Sequence, residues 1–320
     1  MMGLLKQLLG LERPKEMPGL ATAIERAVNR VEPHLKQIGG YPKAFRKPVT
    51  RALEHSRSLA ASIPGPVEIN RAAYVQNPFV HALFPSVDFI REALCSSQSM
   101  RDFHGRNPAS QDVYALMGMR RWEKNTLGME LLGDKLQRDV LQNAVYFTSH
   151  TIENPSPTAE EAREMTAWSF FDRLTDLVAK RIEARKQEKS DLLKEKDWLT
   201  AHLHEANDLT RPDLAKQMEK LLIQTQKAVA SLDLHEYLHD FEAVMLNPEQ
   251  YLRLEQASMF LDDMGIKRNP LEGTPGDSVE FNDLIGFDRR RWTVTLVHCS
   301  DIQVETYAER LEAAYRRLSI

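Results

Sequence analysis

From Thr158 to about residue 206 the chain reads as one helix of nearly fifty residues. Thr158 and Glu161 form a capping box just after Pro155-Ser156-Pro157. An apolar face follows through Met165, Trp168, Phe171, Leu174, Val178 and Ile182. Between Glu183 and Ser190 that seam turns polar, with Arg185 and Lys189, and then Leu192, Leu199 and Leu203 resume it. A helix buried all along one face in a globular core would not carry such a gap, so its far part is expected to project into solvent. Thr210-Arg211-Pro212-Asp213 restarts a helix with Leu214, Met218, Leu221, Ala228 and Leu232. The pair predicts a long antiparallel helical hairpin, coiled-coil-like at its charged tip, over about 158–246.

Period-2 signals lie on both sides of this insertion. Leu127–Leu132, a Gly133-Asp134 turn and Val140–Thr151 predict one β-hairpin, and Val279–Phe287 with Arg291–Cys299 predict another. Glu130-Leu131-Leu132-Gly133 is echoed by Asp283-Leu284-Ile285-Gly286, so the two hairpins are expected to share one sheet. The expected fold is α+β and predominantly helical, with a small antiparallel β-sheet from about 127–150 and 278–299 interrupted by the helical hairpin. An N-terminal helical region, 1–110, precedes an α+β region, 111–320. Helices are expected at Ile24–Ile38, ending at Gly39-Gly40, at Phe45–Leu59, at Val87–Leu94, and from Asn107 to about Trp122. Another is expected from Asn247-Pro248-Glu249-Gln250 to Gly265. Leu4, Leu5, Leu8 and Leu9 mark an N-terminal amphipathic helix, and Ser300 with Gln303 caps a final one carrying Ile302, Leu311, Tyr315 and Leu318.

Composition removes several classes of function. Lys and Arg total 42 against 46 Asp and Glu, a net charge of −4, so the chain as a whole is not a polyanion binder. Residues 1–60 are locally basic, with 11 Lys and Arg against 5 acids. That leaves peripheral membrane contact through the N-terminal helix as an option. Cys95 and Cys299 are far apart in sequence, which excludes a disulfide scaffold or a Cys-rich zinc site. No apolar run reaches the roughly 20 residues of a membrane span, and the N-terminus lacks the features of a secretory signal. A cytoplasmic protein is expected.

One motif carries chemistry. His235-Glu236-Tyr237-Leu238-His239 is H-E-x-x-H, and on a helix His235 and His239 share a face where they could hold zinc, with Glu236 as general base. Over about ten residues this resembles the zincin metallopeptidase signature. The resemblance implies a zinc-dependent hydrolase with a third ligand downstream, for which Glu255 stands somewhat early. The same residues have a structural explanation. Asp233 and Glu236 fit a capping box, and His235 and His239 continue the stripe Leu221, Ala228, Leu232 as half-buried seam residues. Arg120-Arg121-Trp122 and Arg289-Arg290-Arg291-Trp292 could grip phosphate while stacking on bases, although the second also fits a hairpin turn and the net charge argues against nucleic acid. No P-loop, dinucleotide-binding glycine motif or G-x-S-x-G elbow is present. With no complete catalytic set, the sequence points first to a non-enzymatic interaction or regulatory protein that engages a protein partner or itself through the helical hairpin, with no cofactor. Zinc hydrolysis and nucleic-acid binding are the alternatives.

Overall fold

The computed structural model describes residues 19–300 except 109, 111, 133–134, 206–209 and 273–274. The N-terminal leucine stripe, the final helix and the turn expected at Gly133-Asp134 lie outside the described residues. The fold is α+β, with nine helices and a six-stranded sheet among the described residues. The chain forms two compact units. One gathers the described residues up to Ser56 with Phe170–Glu249; the other holds Arg57–Ser169 and the described residues from Gln250 onward.

The first unit is helical. Helix α1 (Leu20–Val31) buries Ile24, Ala27, Val28 and Val31 on one stripe. It stops at Pro33 rather than at Gly39-Gly40, because Glu32 turns extended and Pro33 starts a 3-10 turn that carries Leu35 inward. Helix α2 (Lys43–Ser62) places Phe45, Val49, Ala52 and Leu53 in the same core. The long helix α7 (Ala159–Glu205) adds Phe171, Leu174, Val178 and Ile182. Arg26 grips Asp172 at 2.7 and 2.6 Å, and Arg30 grips Asp176 at 2.5 and 3.0 Å. The constant offset between these pairs means that α1 and α7 run in the same direction. Beyond Ile182, α7 shelters Arg185, Lys189, Leu192, Lys196, Leu199 and Leu203, at alternating three- and four-residue steps, with Ser190 beside Lys189 as the one addition. Helix α8 (Arg211–Ala230) has the same narrow pattern at Leu214, Met218, Leu221, Thr225 and Ala228. A short turn leads to α9 (Leu234–Met245), whose Phe241 ring packs edge-on to Phe45 at 5.1 Å.

The second unit is built on a sheet with a path of five strands and a sixth, short strand off it. The sheet is larger than expected. Strand β2 (Val113–Leu132) begins at 113, not 127, and pairs with β3 (Lys135–Ser156). The helix expected from Asn107 to about Trp122 is therefore replaced by strand from Val113. Val113, Ala115, Met117 and Met119 are all buried on one face at period 2, and Leu116 is buried on the other, which imitates a helical spacing. The helix expected from Asn247 to Gly265 is also overturned. Pro248–Gln250 makes one 3-10 turn, and Leu252–Leu261 is strand β4, paired over ten residues with β5 (Asp277–Gly286). Strand β6 (Arg291–Cys299) lies between β5 and β2, and the two-residue β1 (Val67–Glu68) joins it in parallel at Val297 and His298. The rest of the sheet is antiparallel.

After β4 the loop 262–268 returns to β3. Val145 N donates to Gly265 O and Lys267 N to Asn143 O, each at 2.8 Å, so the two edges of the sheet are joined. Four short helices, α3 (Arg71–Gln76), α4 (Pro78–Leu83), α5 (Val87–Ser96) and α6 (Gln98–Arg106), lie against one face of the sheet, where Leu83, Met100 and Phe103 meet Met117, Phe147 and Phe281.

Candidate functional site: the α7–α9 helices

Helix α9 begins where Ser231–Asp233 break from α8, and the Asp233 carboxylate accepts the His235 N–H at 2.7 Å as its cap. From that start the buried stripe is Tyr237, Asp240, Phe241, Val244 and Met245. His235, Glu236 and His239 all fall on the exposed face. The histidines are thus not seam residues, since helical phase does not carry across the break at 231–233. The reciprocal half of the expected capping box is replaced too: Asp233 N donates to Ala230 O, and the Glu236 carboxylate stands 3.7 Å from Arg185.

Arg185 is the centre of this region. Its guanidinium donates to Ser231 O at 3.1 Å and pairs with the nearly buried Asp240 at 2.8 Å. One arginine on α7 therefore fixes both the end of α8 and the first turns of α9. One position on, Lys186 meets Glu32 at 2.5 Å. Burial pushes the Glu32 carboxyl up, but the Lys186 ammonium and the His34 ring and backbone N–H outweigh it and hold it down at about 2. The polar gap in the α7 seam is thus an anchor. Sequence periodicity could not identify it, because the acids that complete it lie some 50 and 150 residues away in the chain.

The other candidate residues are placed apart. Glu255 lies on β4 in the second unit, opposite Asp283, and its carboxylate is taken by Arg253 at 3.0 Å and Arg291 at 3.4 Å. Among the described residues no three His, Cys, Asp or Glu side chains converge at metal-binding spacing. Arg121 points into the second unit's core to Asp283, whereas Arg120 and Trp122 lie on the opposite face of β2. Arg289 sits in the β5–β6 turn with φ 58°, and Arg290 pairs with Asp288 at 3.2 Å, as a hairpin turn would have them.

Helices α7 and α8 expose apolar side chains: Leu193, Trp198, Leu222, Ile223 and Val229 are between 37% and 55% accessible. Trp198 packs on His202, ring centres 3.9 Å apart. Among the described residues no helix is long and apolar enough to cross a membrane. Comparison with protein-family models, with curated proteins and with solved structures returns no match to this chain.

Proposed function

We propose that this chain is a non-catalytic binding protein of a reducing compartment, the cytoplasm, and that α7 and α8 pair as an antiparallel two-helix coiled coil that holds a protein partner or a second copy. The observation that carries the reading is the narrow sheltered stripe on each helix. A stripe at alternating three- and four-residue steps is what a helix with a single helical neighbour displays. The Arg185–Ser231 bond supports a register in which Leu192 would face Thr225 and Leu199 would face Met218. Antiparallel pairing then brings the positions just after each seam residue to one flank. There Leu193, Leu222 and Val229 leave apolar surface exposed between Asp197, Glu219 and Gln226, while the opposite flank carries Glu188, Glu195, Gln217 and Gln224 with Trp198. Two free cysteines, Cys95 and Cys299, fit the compartment.

The test is light scattering on the full chain across a range of concentration, with Leu193→Glu/Leu222→Glu beside the wild type. The expected result is a wild-type assembly that the double variant dissociates, or a cellular partner cross-linked by the wild type and lost by the variant. A wild-type monomer whose cross-linked partners are unchanged in the variant would remove this role from the pair.

A further inference from the structure

The two-stranded ribbon of β2 and β3 segregates charge by face. Strand alternation places Arg120, Trp122 and Lys124 together, opposite Tyr146 and Thr148, while Glu123 falls on the other face with Arg121. Over 118–126 and 142–151 the first face carries no carboxylate, although the chain as a whole is acidic. Arg120 and Lys124 are exposed and make no ion pair among the described residues.

The same face is aromatic. Trp122 and Tyr146 are direct cross-strand partners, each 43% accessible. The indole is held in place: its Nε1 donates to Thr148 Oγ1 at 2.9 Å, and the Arg120 guanidinium lies 4.9 Å from its ring centre. Trp292 of β6 extends the surface. Gly118 lacks the side chain that would fill the space beneath it, and a Cβ there would stand 3.7 Å from the Trp292 ring. An apolar partner would leave the two cations unmatched, and an acidic peptide would not need the aromatic pair. A flexible polyanion that carries flat rings uses both.

We propose that this face binds single-stranded nucleic acid, with bases stacked on Trp122 and Tyr146 and phosphates held by Arg120 and Lys124. This surface lies in the second unit and does not depend on the role given to α7 and α8.

The test is fluorescence anisotropy of the full chain with labelled oligo(dT) and oligo(U) of about twelve nucleotides, within single-strand site sizes. Two phosphate contacts on a single strand predict about a sevenfold loss of affinity between about 50 and 200 mM salt. Trp122→Ala should weaken binding at least about fivefold, the lower end for one stacked base. Arg120→Glu/Lys124→Glu should flatten the salt dependence. If Trp122→Ala lost the wild-type far-UV spectrum, Tyr146→Ala would give the same reading. No binding up to about 100 μM protein at low salt, the weak end of non-specific affinity, would overturn the proposal. So would equal affinity for a duplex, whose base faces are hidden, or unchanged affinity in the variants.

Discussion

Replacing Asp283 by alanine should be among the most damaging single changes in the second unit. The Asp283 carboxylate is 2% accessible on β5 and accepts three bonds. Two come from the Arg121 guanidinium at 3.1 and 2.8 Å, and one from Thr293 Oγ1 at 2.8 Å. Arg121 is itself only 12% accessible, with its guanidinium 5.6 Å from the Phe281 ring centre. The network stands where the β2–β6 ladder ends, at Met119 opposite Thr293, so it spans a gap that backbone bonds leave open. Removing the carboxylate strands a cation in a nearly dry site, at a cost of roughly 3–5 kcal/mol. Against a typical stability of about 5–15 kcal/mol, that is a large fraction.

The interaction is separable from the packing. In the double variant Arg121→Met/Asp283→Leu neither charge remains, so most of the loss should be recovered. The coupling between the two sites should then exceed about 2 kcal/mol, well beyond additivity. Urea unfolding followed by fluorescence would measure it. Trp122, Trp168 and Trp292 belong to the second unit, so a Trp198→Phe background removes the signal of the first. A loss below about 1 kcal/mol for Asp283→Ala, or additive losses in the double variant, would refute the assignment of a dry, mutually dependent pair.

Four further outcomes can be measured. Glu32 is held at about 2, below its usual 4.5, so its contribution of about 2–3 kcal/mol, allowing for the half-exposed Lys186, is present at neutral pH. That contribution is lost as pH falls from about 5 to about 2, so the stability gap between wild type and Glu32→Gln should close over that window. Burial pushes the Cys299 thiol up to about 12, so iodoacetamide at neutral pH should label the partly exposed Cys95 and reach Cys299 only after unfolding; equal native rates would contradict the structure. Gly65 has φ 106°, and a Cβ there would stand 2.2 Å from Leu296 O, so Gly65→Ala should cost at least about 2 kcal/mol in thermal or urea unfolding. If α7 and α8 pair as proposed, Leu192→Cys/Thr225→Cys should close an intrachain disulfide on mild oxidation, detected as faster migration on a non-reducing gel; a pair that never closes speaks against that register.

What was legible in the sequence followed from one rule: a segment with one buried face declares its period. Helices α2, α5 and α7 and the β5–β6 hairpin are of that kind, and their apolar spacings place them within a few residues of their observed bounds, whereas α1 ends seven residues before Ile38 because Pro33 interrupts it. Val113–Met119 is buried on both faces, so its apolar residues lose a clean period. Leu252–Leu261 contains Leu, Glu, Gln, Ala and Met, all good helix formers, yet it lies along β5, so tertiary pairing overrides propensity. Of the short helices, α3 buries no residue fully and α4 only Val80 and Leu83, so they leave little periodic trace.

The His235–His239 motif shows why spacing alone could not place a site. Its two rings do share a helical face, as i and i+4 must, but which face meets the core is set elsewhere. Asp240 is the nearly buried acid of α9, and its partner is Arg185 on α7. Turning α9 to bury the histidines would expose Tyr237 and Phe241 and leave Arg185 without its carboxylate. Phe241 alone is fully buried against Phe45, a side chain worth about 1.5–3 kcal/mol in transfer from water. Two half-buried imidazoles offer less apolar area and would need new hydrogen-bond partners. The rotation of α9 is therefore decided by one ion pair and two aromatic rings, and the histidines take the side that remains. Arg185 does for the first unit what Arg121 does for the second: each is a charge that a pattern of apolar residues passes over, and each fixes how the neighbouring elements are turned.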